Sequence, residues 1–252
     1  MNKKLTVGEI WDDKWEKLDI HAFKEGAFKR DPWTVSHKPI IEKYIKKIKQ
    51  GGVFLEAGCG MGQWCFYVAE KYGLKSFGVD VAEKTIEKLN DYCGKLNGNL
   101  INFIADDLND SKMESQFCDM FVSLGVIEHF QDSKPMLKNL YRLLKPGGIG
   151  IITVPNAYSM HSITRPILQI LNRWDIGYEK SFLPRELKNL SLNSGFQIIE
   201  SGILPSGEMF GSFINNLPVA GRFFKKLSFF IEKRQNTFGF ISFVVVQKQS
   251  IK

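Results

Sequence analysis

Short apolar segments alternate with amphipathic segments through the middle of the chain. The apolar segments, which the sequence predicts as strands, begin near residues 53, 76, 100, 119 and 149. Helical periodicity fills most of the intervals, and glycines or polar turns separate the two kinds of segment. Strands that alternate with helices in this way form βαβ units, with parallel strands and right-handed crossovers. The pattern predicts an α/β fold: a Rossmann-like, mostly parallel sheet with helices on both faces.

The segments outside this repeat are less regular. The first 50 residues are rich in charge and tryptophan, and the spacing predicts a helix over 39–49 with Pro39 at its first position. No clear strand occurs between residues 157 and 180. An amphipathic helix is predicted over 217–233, with phenylalanines on its apolar face. The predicted organisation is a helical N-terminal segment at 1–50 and one domain at 51–252, with cap insertions at about 156–181 and 203–236.

Composition excludes several classes of protein. Of the 252 residues, 44% are hydrophobic and 24% are charged, which is ordinary for a globular chain and argues against disorder. The net charge of +7 is spread along the chain without a basic stripe, so nucleic acid is not expected as a partner. No apolar run reaches the length of a membrane span, no secretory signal is recognised, and no C-x-x-C pair suggests a metal site. A cytoplasmic protein without a metal is expected.

A glycine cluster follows the first predicted strand. Gly58, Gly60 and Gly62 lie between that strand and a helix predicted over 63–72. Such a loop lets the backbone approach a ligand, and the following helix N-terminus attracts negative charge. The spacing is G-x-G-x-G, because Gln63 stands where a dinucleotide fingerprint has its third small residue, and no P-loop lysine follows. A plain structural turn is the alternative interpretation.

An acidic residue ends the next predicted strand. Asp80 follows Gly62 by 18 residues, and a carboxylate in that position accepts hydrogen bonds from the hydroxyls of a ribose. Its alternative role is local, since Asp80 and Glu83 also form a D-x-x-E pattern that caps a helix. The combination with the glycine loop favours the ribose.

Four motifs now resemble one family. The E-x-G-C-G-x-G loop at 56–62, the carboxylate at the 78–80 strand end, the V-I-E-H-F segment at 126–130 and the L-K-P-G-G turn at 144–148 are similar in kind and order to those of class I S-adenosylmethionine-dependent methyltransferases. The resemblance covers about residues 51–155 well and 182–200 loosely. It implies a seven-stranded sheet with an antiparallel last strand, and S-adenosylmethionine as cofactor.

The resemblance also implies roles for residues at the motif positions. The glycine loop would cradle the methionine and ribose parts, Asp80 would bind the ribose hydroxyls, and Val81 would pack on the adenine. A solvated loop is the alternative for the two acids after the third strand. The cofactor-binding residues implied are Gly58, Gly60, Gly62, Asp80, Val81, Asp106, Asp107, Leu124 and Gly125.

The candidate catalytic group is His129, which follows the fourth strand. A histidine titrates near neutrality and suits a general base that takes a proton from an acceptor. The alternative is that Glu128 and His129 simply begin a helix. Other candidates are either site residues or ordinary loop and core residues. Those for acceptor binding are Tyr158, His161 and Tyr178, with Arg165 and Glu179 beside them, and those for covering the cofactor are Trp11, Trp15, Trp33 and His37.

These observations predict a methyltransferase that acts on a small or lipid-linked acceptor, at oxygen. Residues 123–126 lack the N/D-P-P-Y/F segment, which disfavours enzymes that methylate nucleic-acid bases or protein amides. A non-catalytic module that binds the cofactor is one alternative, and an NAD-dependent oxidoreductase is a weaker one because of Gln63. The predicted 217–233 helix packs on the enzyme's own sheet or cap, or it covers a hydrophobic acceptor pocket. Peripheral membrane contact through its apolar face, with the flanking lysines and arginine, is a weaker alternative.

Overall fold

The computed structural model describes residues 6–20, 28, 31–95, 100–174, 176–208, 220–235 and 237–250. Its strands form one seven-stranded sheet in the order β3-β2-β1-β4-β5-β7-β6. The strands are β1 (Val53–Ala57), β2 (Lys75–Asp80), β3 (Ile101–Ala105), β4 (Cys118–Leu124), β5 (Leu144–Pro155), β6 (Gln197–Leu204) and β7 (Ile241–Gln247). The helices are α1 (Val7–Trp15), α2 (Pro32–Ile45), α3 (Gln63–Tyr72), α4 (Glu83–Gly94), α5 (Lys134–Leu143), α6 (His161–Ile170), α7 (Pro184–Asn193) and α8 (Ala220–Glu232), and a short 3₁₀ turn spans Ile127–His129.

The sheet is mostly parallel and has its switch point at β1. Strand β1 pairs in parallel with β2 on one side and with β4 on the other. Chain direction reverses only at β7, which pairs antiparallel with both β5 and β6. The predicted Rossmann-like sheet and its antiparallel seventh strand are confirmed. A crevice opens outside the carboxyl ends of β1 and β4, where folds of this kind bind ligands.

Helices cover both faces of the sheet because the central strands are apolar on both sides. In β4, Phe121 packs into one core with the apolar stripe of α5, which includes Leu137 and Leu140. Its neighbours Met120 and Val122 point to the other face, into a core that α2 and α3 complete. This alternation fixes the sheet between two layers and holds the ends of β1 and β4 in place.

The helix predicted to begin at Pro39 begins earlier, so that prediction is wrong. Asp31 is the N-cap: its side chain accepts a hydrogen bond from the Thr34 amide at 2.8 Å, and Pro32 occupies the first turn. Pro39 lies inside α2 and leaves the carbonyl of Val35 without its usual amide donor. The strong cap signal at 31–32 outweighs the interior proline.

The two inserted segments, one between β5 and α7 and one between β6 and β7, both differ from the sequence prediction. Between β5 and α7, the structure has the helix α6, although no element was predicted there. In α8 the buried side chains are Ser228 and Glu232. Of the predicted apolar face, Phe223 and Phe230 lie outward, 63% and 54% exposed, whereas Phe224, Leu227 and Ile231 are half-buried. Predicted helix residues 217–219 lie outside the described residues. No helix in the described parts of the chain is long and apolar enough to cross a bilayer.

Candidate active site

The loop between β1 and α3 is held in a conformation that favours glycine. Gly58, Gly60 and Gly62 all have positive φ, at 76°, 48° and 67°. Gly62 is the N-cap of α3 and supplies no side chain to the helix N-terminus. The buried side chain of Glu56, in β1, instead accepts a hydrogen bond from the Cys65 amide at 2.9 Å and so caps the first turn of α3 beside the glycine loop.

Close neighbours explain why side chains are excluded from the loop. A Cβ atom on Gly58 would lie 2.4 Å from Val126, and one on Gly62 would lie 2.4 Å from the ring of Phe103. A Cβ atom on Gly60 would lie 2.8 Å from the indole of Trp15. The loop is packed from below by the core and covered from above by α1.

Asp80 lies at the carboxyl end of β2 and ties the loop to the sheet. Its Oδ2 accepts a hydrogen bond from the Gly60 amide at 2.8 Å, and its Oδ1 accepts one from the Ala82 amide at 3.1 Å. Burial raises the pKa of Asp80, and these amide donors oppose that shift. A carboxylate has further lone pairs, so Asp80 keeps acceptor capacity toward the crevice.

The capping role that the sequence offered to Asp80 belongs instead to a residue of α1. The N-cap of α4 is Ala82, which makes no side-chain cap. Asp12 Oδ1 accepts hydrogen bonds from both the amide and the hydroxyl of Thr85, each at 2.9 Å. A buried carboxylate thus joins α1 to the positive end of α4.

Helix α1 lies across both ends of the crevice. Near its start, Gly8 packs so closely that a Cβ atom there would lie 2.5 Å from the carbonyl oxygen of Val81. Near its end, Trp15 covers Gly60, and Trp11 meets the ring of His129 edge-on with centroids 5.1 Å apart. The first helix therefore contacts the glycine loop, the β2–α4 turn and the candidate base.

The remaining cofactor candidates lie on the same edge of the sheet. Asp106 Oδ2 accepts hydrogen bonds from the Ser111 hydroxyl at 2.6 Å and the Lys112 amide at 3.3 Å, which closes the loop after β3. Asp107 is exposed and accepts from the Asn109 amide. Leu124 ends β4 and Gly125 follows it, where a Cβ atom would lie 3.0 Å from the ring of Trp33.

A polar cluster forms beyond β4, and His129 is its central member. The Nδ1 atom of His129 lies 2.9 Å from the carbonyl oxygen of Tyr178, so Nδ1 carries the proton and Nε2 is left as the basic atom. Burial lowers the pKa of His129 below its ordinary value, which favours the neutral ring. The arrangement has the features of a general base.

The cluster also joins residues from the first insertion. His161 Nε2 lies 2.6 Å from Glu179 Oε1, and Arg165 approaches the same oxygen at 3.5 Å. Burial raises the pKa of Glu179, but the hydrogen bond and the neighbouring cations outweigh it, so the net shift is downward. The structure thus brings His129, Tyr178 and His161 together. Tyr158 lies apart, with its ring against Phe238 at 5.7 Å.

Glu128 is a buried acid that the sequence interpretation treated only as part of a helix start. Its side chain is 2% exposed, and its Oε2 has no hydrogen-bond partner. Burial raises the pKa of Glu128 well above its ordinary value, which favours the protonated acid. The sequence signal for the burial of this acid is that apolar residues, Ile127 and Phe130, lie close to it on both sides.

His37 is structural, in contrast to the tryptophans of the crevice. It is fully buried, with Nδ1 2.6 Å from the Trp33 carbonyl and Nε2 2.9 Å from the Thr153 hydroxyl. Burial lowers the pKa of His37 to about 4. No group of three or more metal-ligating side chains comes together within the described ranges.

Comparison with known proteins places this site in a class. The family described as "Methyltransferase domain" matches residues 54–148, which run from β1 into β5 and include the loop, Asp80 and His129. Residues 54–148 therefore form an S-adenosylmethionine-dependent methyltransferase domain.

Individual relatives are more distant. A ubiquinone biosynthesis O-methyltransferase of Coxiella burnetii is 25% identical over 200 residues, 73% of this chain and 84% of that protein. Phosphoethanolamine N-methyltransferase 1 of Zea mays is 31% identical over 121 residues, 46% of this chain, and the match spans less than a quarter of its length. Phosphoethanolamine N-methyltransferase 2 of Haemonchus contortus, solved with S-adenosylhomocysteine, has the same fold, with a TM-score of 0.70 and 18% identity over 99% of this chain and 62% of its own.

Proposed function

We propose that this enzyme transfers the methyl group to an oxygen atom of a small or lipid-linked acceptor, with His129 as the general base. The observation that carries the proposal is the hydrogen bond between His129 Nδ1 and the Tyr178 carbonyl. It holds the imidazole in the tautomer whose Nε2 can accept a proton. A hydroxyl acceptor needs such a base because it becomes a strong nucleophile only as its proton leaves.

The cofactor residues act through the glycine-loop backbone and through the acids that follow β2 and β3 in this proposal. When bound, S-adenosylmethionine supplies an activated methyl group on a positively charged sulfur. The glycine loop before α3 suits the carboxylate of its methionine part, and Asp80 has acceptor capacity for the ribose hydroxyls. The proposed contacts are Gly58, Gly60, Gly62, Asp80, Val81, Asp106, Asp107, Leu124 and Gly125.

The acceptor side consists of the N-terminal segment and the insertions. In this proposal residues 1–50 and the caps at about 156–181 and 203–236 close over the domain at 51–252. His161 and Tyr178 contact the acceptor beside His129, and Tyr158 lies at the entrance. Because the cofactor supplies the leaving group, the protein's task is to align the acceptor oxygen and to exclude water.

The choice of oxygen rests on the relatives as well as on His129. The match to the Coxiella O-methyltransferase covers 73% of this chain, whereas the match to the plant N-methyltransferase covers 46%. The name of the former protein refers to a lipid quinone pathway, which supports a lipid-linked acceptor here. Reaching such an acceptor requires contact with a membrane surface.

The test is a methyl-transfer assay with isotopically labelled S-adenosylmethionine. The purified chain is incubated with a panel of phenols, catechols and alkanolamines, each as a short soluble form and as a form with an isoprenoid or acyl chain. We expect label in an ether product and formation of S-adenosylhomocysteine. Label on nitrogen, or none in any product while the cofactor binds, contradicts the proposal, and a preference for the chained forms supports the lipid-linked class.

A further inference from the structure

Helix α6 is amphipathic in the reverse of the usual sense. Ile163, Ile167 and Ile170 recur at helical spacing and are 58%, 52% and 80% exposed. The polar side of the same helix faces inward, where His161 and Arg165 meet Glu179. A surface helix normally buries its apolar stripe, so this outer face needs a partner that the described residues do not provide.

Helix α8 in the second insertion also exposes large apolar side chains. Its buried side chains, those of Ser228 and Glu232, are polar, while Phe223 and Phe230 are exposed on its outer side. Phe229 is 48% exposed and lines a groove with Pro32 and Ile40 of α2. Glu232 fixes this orientation, because its Oε2 accepts hydrogen bonds from the amides of Ser206 and Gly207, at 2.8 and 2.7 Å. The phenylalanines are therefore held outward by a buried polar anchor.

The two insertions are joined where α6 begins and α8 ends. Tyr158, just before α6, packs on Phe238, just after α8. The side-chain amide of Asn156 donates to the carbonyls of Thr237 and Gly239, at 2.8 and 2.9 Å. These contacts place the exposed rings of Tyr158 and Phe238 between the start of α6 and the end of α8.

The charge on these segments has one sign. Residues 157–174 contain no acid, and residues 220–235 contain only Glu232, which is buried. The exposed cations of the two segments are Arg173, Arg222, Lys225, Lys226, Lys233 and Arg234. Exposed isoleucine and phenylalanine beside basic side chains are the composition of helices that lie in the interface of an anionic bilayer.

We infer that the outer faces of α6 and α8 form a docking surface for an anionic phospholipid membrane. This deepens the proposed function, because it names the surface from which a lipid-linked acceptor would be taken. The inner side of α6 contacts Glu179, so this acid of the His129 cluster would lie roughly 10–12 Å, one helix diameter, from the bilayer interface. No membrane-spanning element is needed for this arrangement.

The test is co-sedimentation with vesicles. One set contains equal parts of phosphatidylcholine and phosphatidylglycerol, and the other contains phosphatidylcholine alone. The unmodified chain should sediment with the anionic set at low salt and be released as salt is raised. The double variant Ile167→Gln/Ile170→Gln should lose at least about tenfold in partitioning, because two large apolar side chains no longer enter the interface.

Two further variants make the result specific. Leu192→Gln/Ile199→Gln removes two comparably exposed apolar side chains from α7 and β6 and should partition like the unmodified chain. Arg222→Gln/Lys226→Gln/Lys233→Gln should weaken binding to the anionic vesicles and reduce its salt dependence. All of these positions are at the surface, so calorimetric binding of S-adenosylhomocysteine without vesicles should be the same in every variant.

The inference is overturned if the unmodified chain stays in solution with the anionic vesicles, or if the isoleucine variant partitions as well as its control. It is also overturned if light scattering finds a dimer that the isoleucine variant converts to a monomer, since a second copy then covers the surface. Failure to bind the cofactor or to methylate any acceptor in solution would contradict the proposed function instead, whatever the vesicles do.

Discussion

The two sides of the crevice are built from different parts of the chain. On the cofactor side, glycine backbone, strand ends and the N-terminus of α3 define the shape, and the acids Glu56 and Asp80 tie them together through hydrogen bonds from the Cys65 and Gly60 amides. On the acceptor side, side chains from three distant segments define the shape, through contacts such as that of His161 with Glu179.

Because the two sides are built from different parts of the chain, cofactor binding and acceptor selectivity depend on different residues. A site made of backbone and strand ends is rigid because the whole sheet holds it. Substitutions in other parts of the molecule should therefore leave cofactor binding unchanged. A site made of side chains on inserted segments can be altered without touching the sheet. Substitutions on the two sides should therefore affect different measured quantities, and the predictions below test that separation.

The largest effect is expected on the acceptor side. His129→Ala should lower kcat by roughly 10²–10⁴ because the general base is lost, with little change in cofactor affinity by calorimetry. His129→Asn is the matched control, since its amide can still donate to the Tyr178 carbonyl but cannot accept a proton as a base. If the asparagine variant keeps kcat within about threefold, His129 only positions the loop, and alignment alone drives transfer.

On the cofactor side, Asp80→Ala should weaken cofactor binding by about 1.5–3 kcal/mol, the range for hydrogen bonds to a charged group. The Gly60 amide also loses its acceptor, so the loop is less well held. Asp80→Asn keeps one carbonyl acceptor and should give an intermediate affinity. Titration calorimetry with S-adenosylhomocysteine measures both, and unchanged affinity in Asp80→Ala contradicts the ribose assignment.

The contact between α1 and α4 lies between the two sides of the crevice. A substitution that removes this contact should have a smaller effect than the two above. Asp12→Ala removes the buried cap of α4 and should lower the free energy of unfolding by about 0.5–2 kcal/mol. Denaturant titration checks this value. Cofactor dissociation in a stopped-flow trap should be faster, because α1 is less firmly held. Asp13→Ala, at the exposed neighbouring position, is the control and should change neither quantity.

The smallest effect concerns pH. The base must be neutral to act, and burial lowers the pKa of His129 below its ordinary value. Activity is therefore present above that pKa and lost as pH falls through it. Between pH 7.5 and 6.5 we expect kcat to fall by less than about twofold, because the midpoint lies below the ordinary value near 6.5. A kcat profile with a midpoint above 7 that disappears in His129→Ala would contradict this environment.

Local spacing in the sequence is sufficient to predict the elements and residues of the cofactor side. The strand observed at Lys75–Asp80 differs by one residue from the predicted one, and the observed bounds of α3 are the predicted ones. The glycine loop and Asp80 could be recognised because the residues that specify them are close in the sequence. The family resemblance supplied the number of strands and the antiparallel β7.

The acceptor side could not be predicted from spacing because no motif marks which side chains meet there, although His161 and Glu179 are only 18 residues apart. His161 lies on the inner side of α6 because its Nε2 atom contacts the Glu179 carboxylate there. The outward phenylalanines of α8 depend on the amides of Ser206 and Gly207, which bind Glu232. Periodicity identifies an amphipathic helix, but it does not tell which face the tertiary contacts will bury.

Trp11 and Trp15 are four residues apart on one helix, and their rings stack with centroids 6.0 Å apart. Any rotation or unwinding that lifts one indole from His129 also moves the other from Gly60. We expect one movement of α1 to uncover both the candidate base and the glycine loop, so a variant that loosens α1 should speed the dissociation of acceptor and cofactor together.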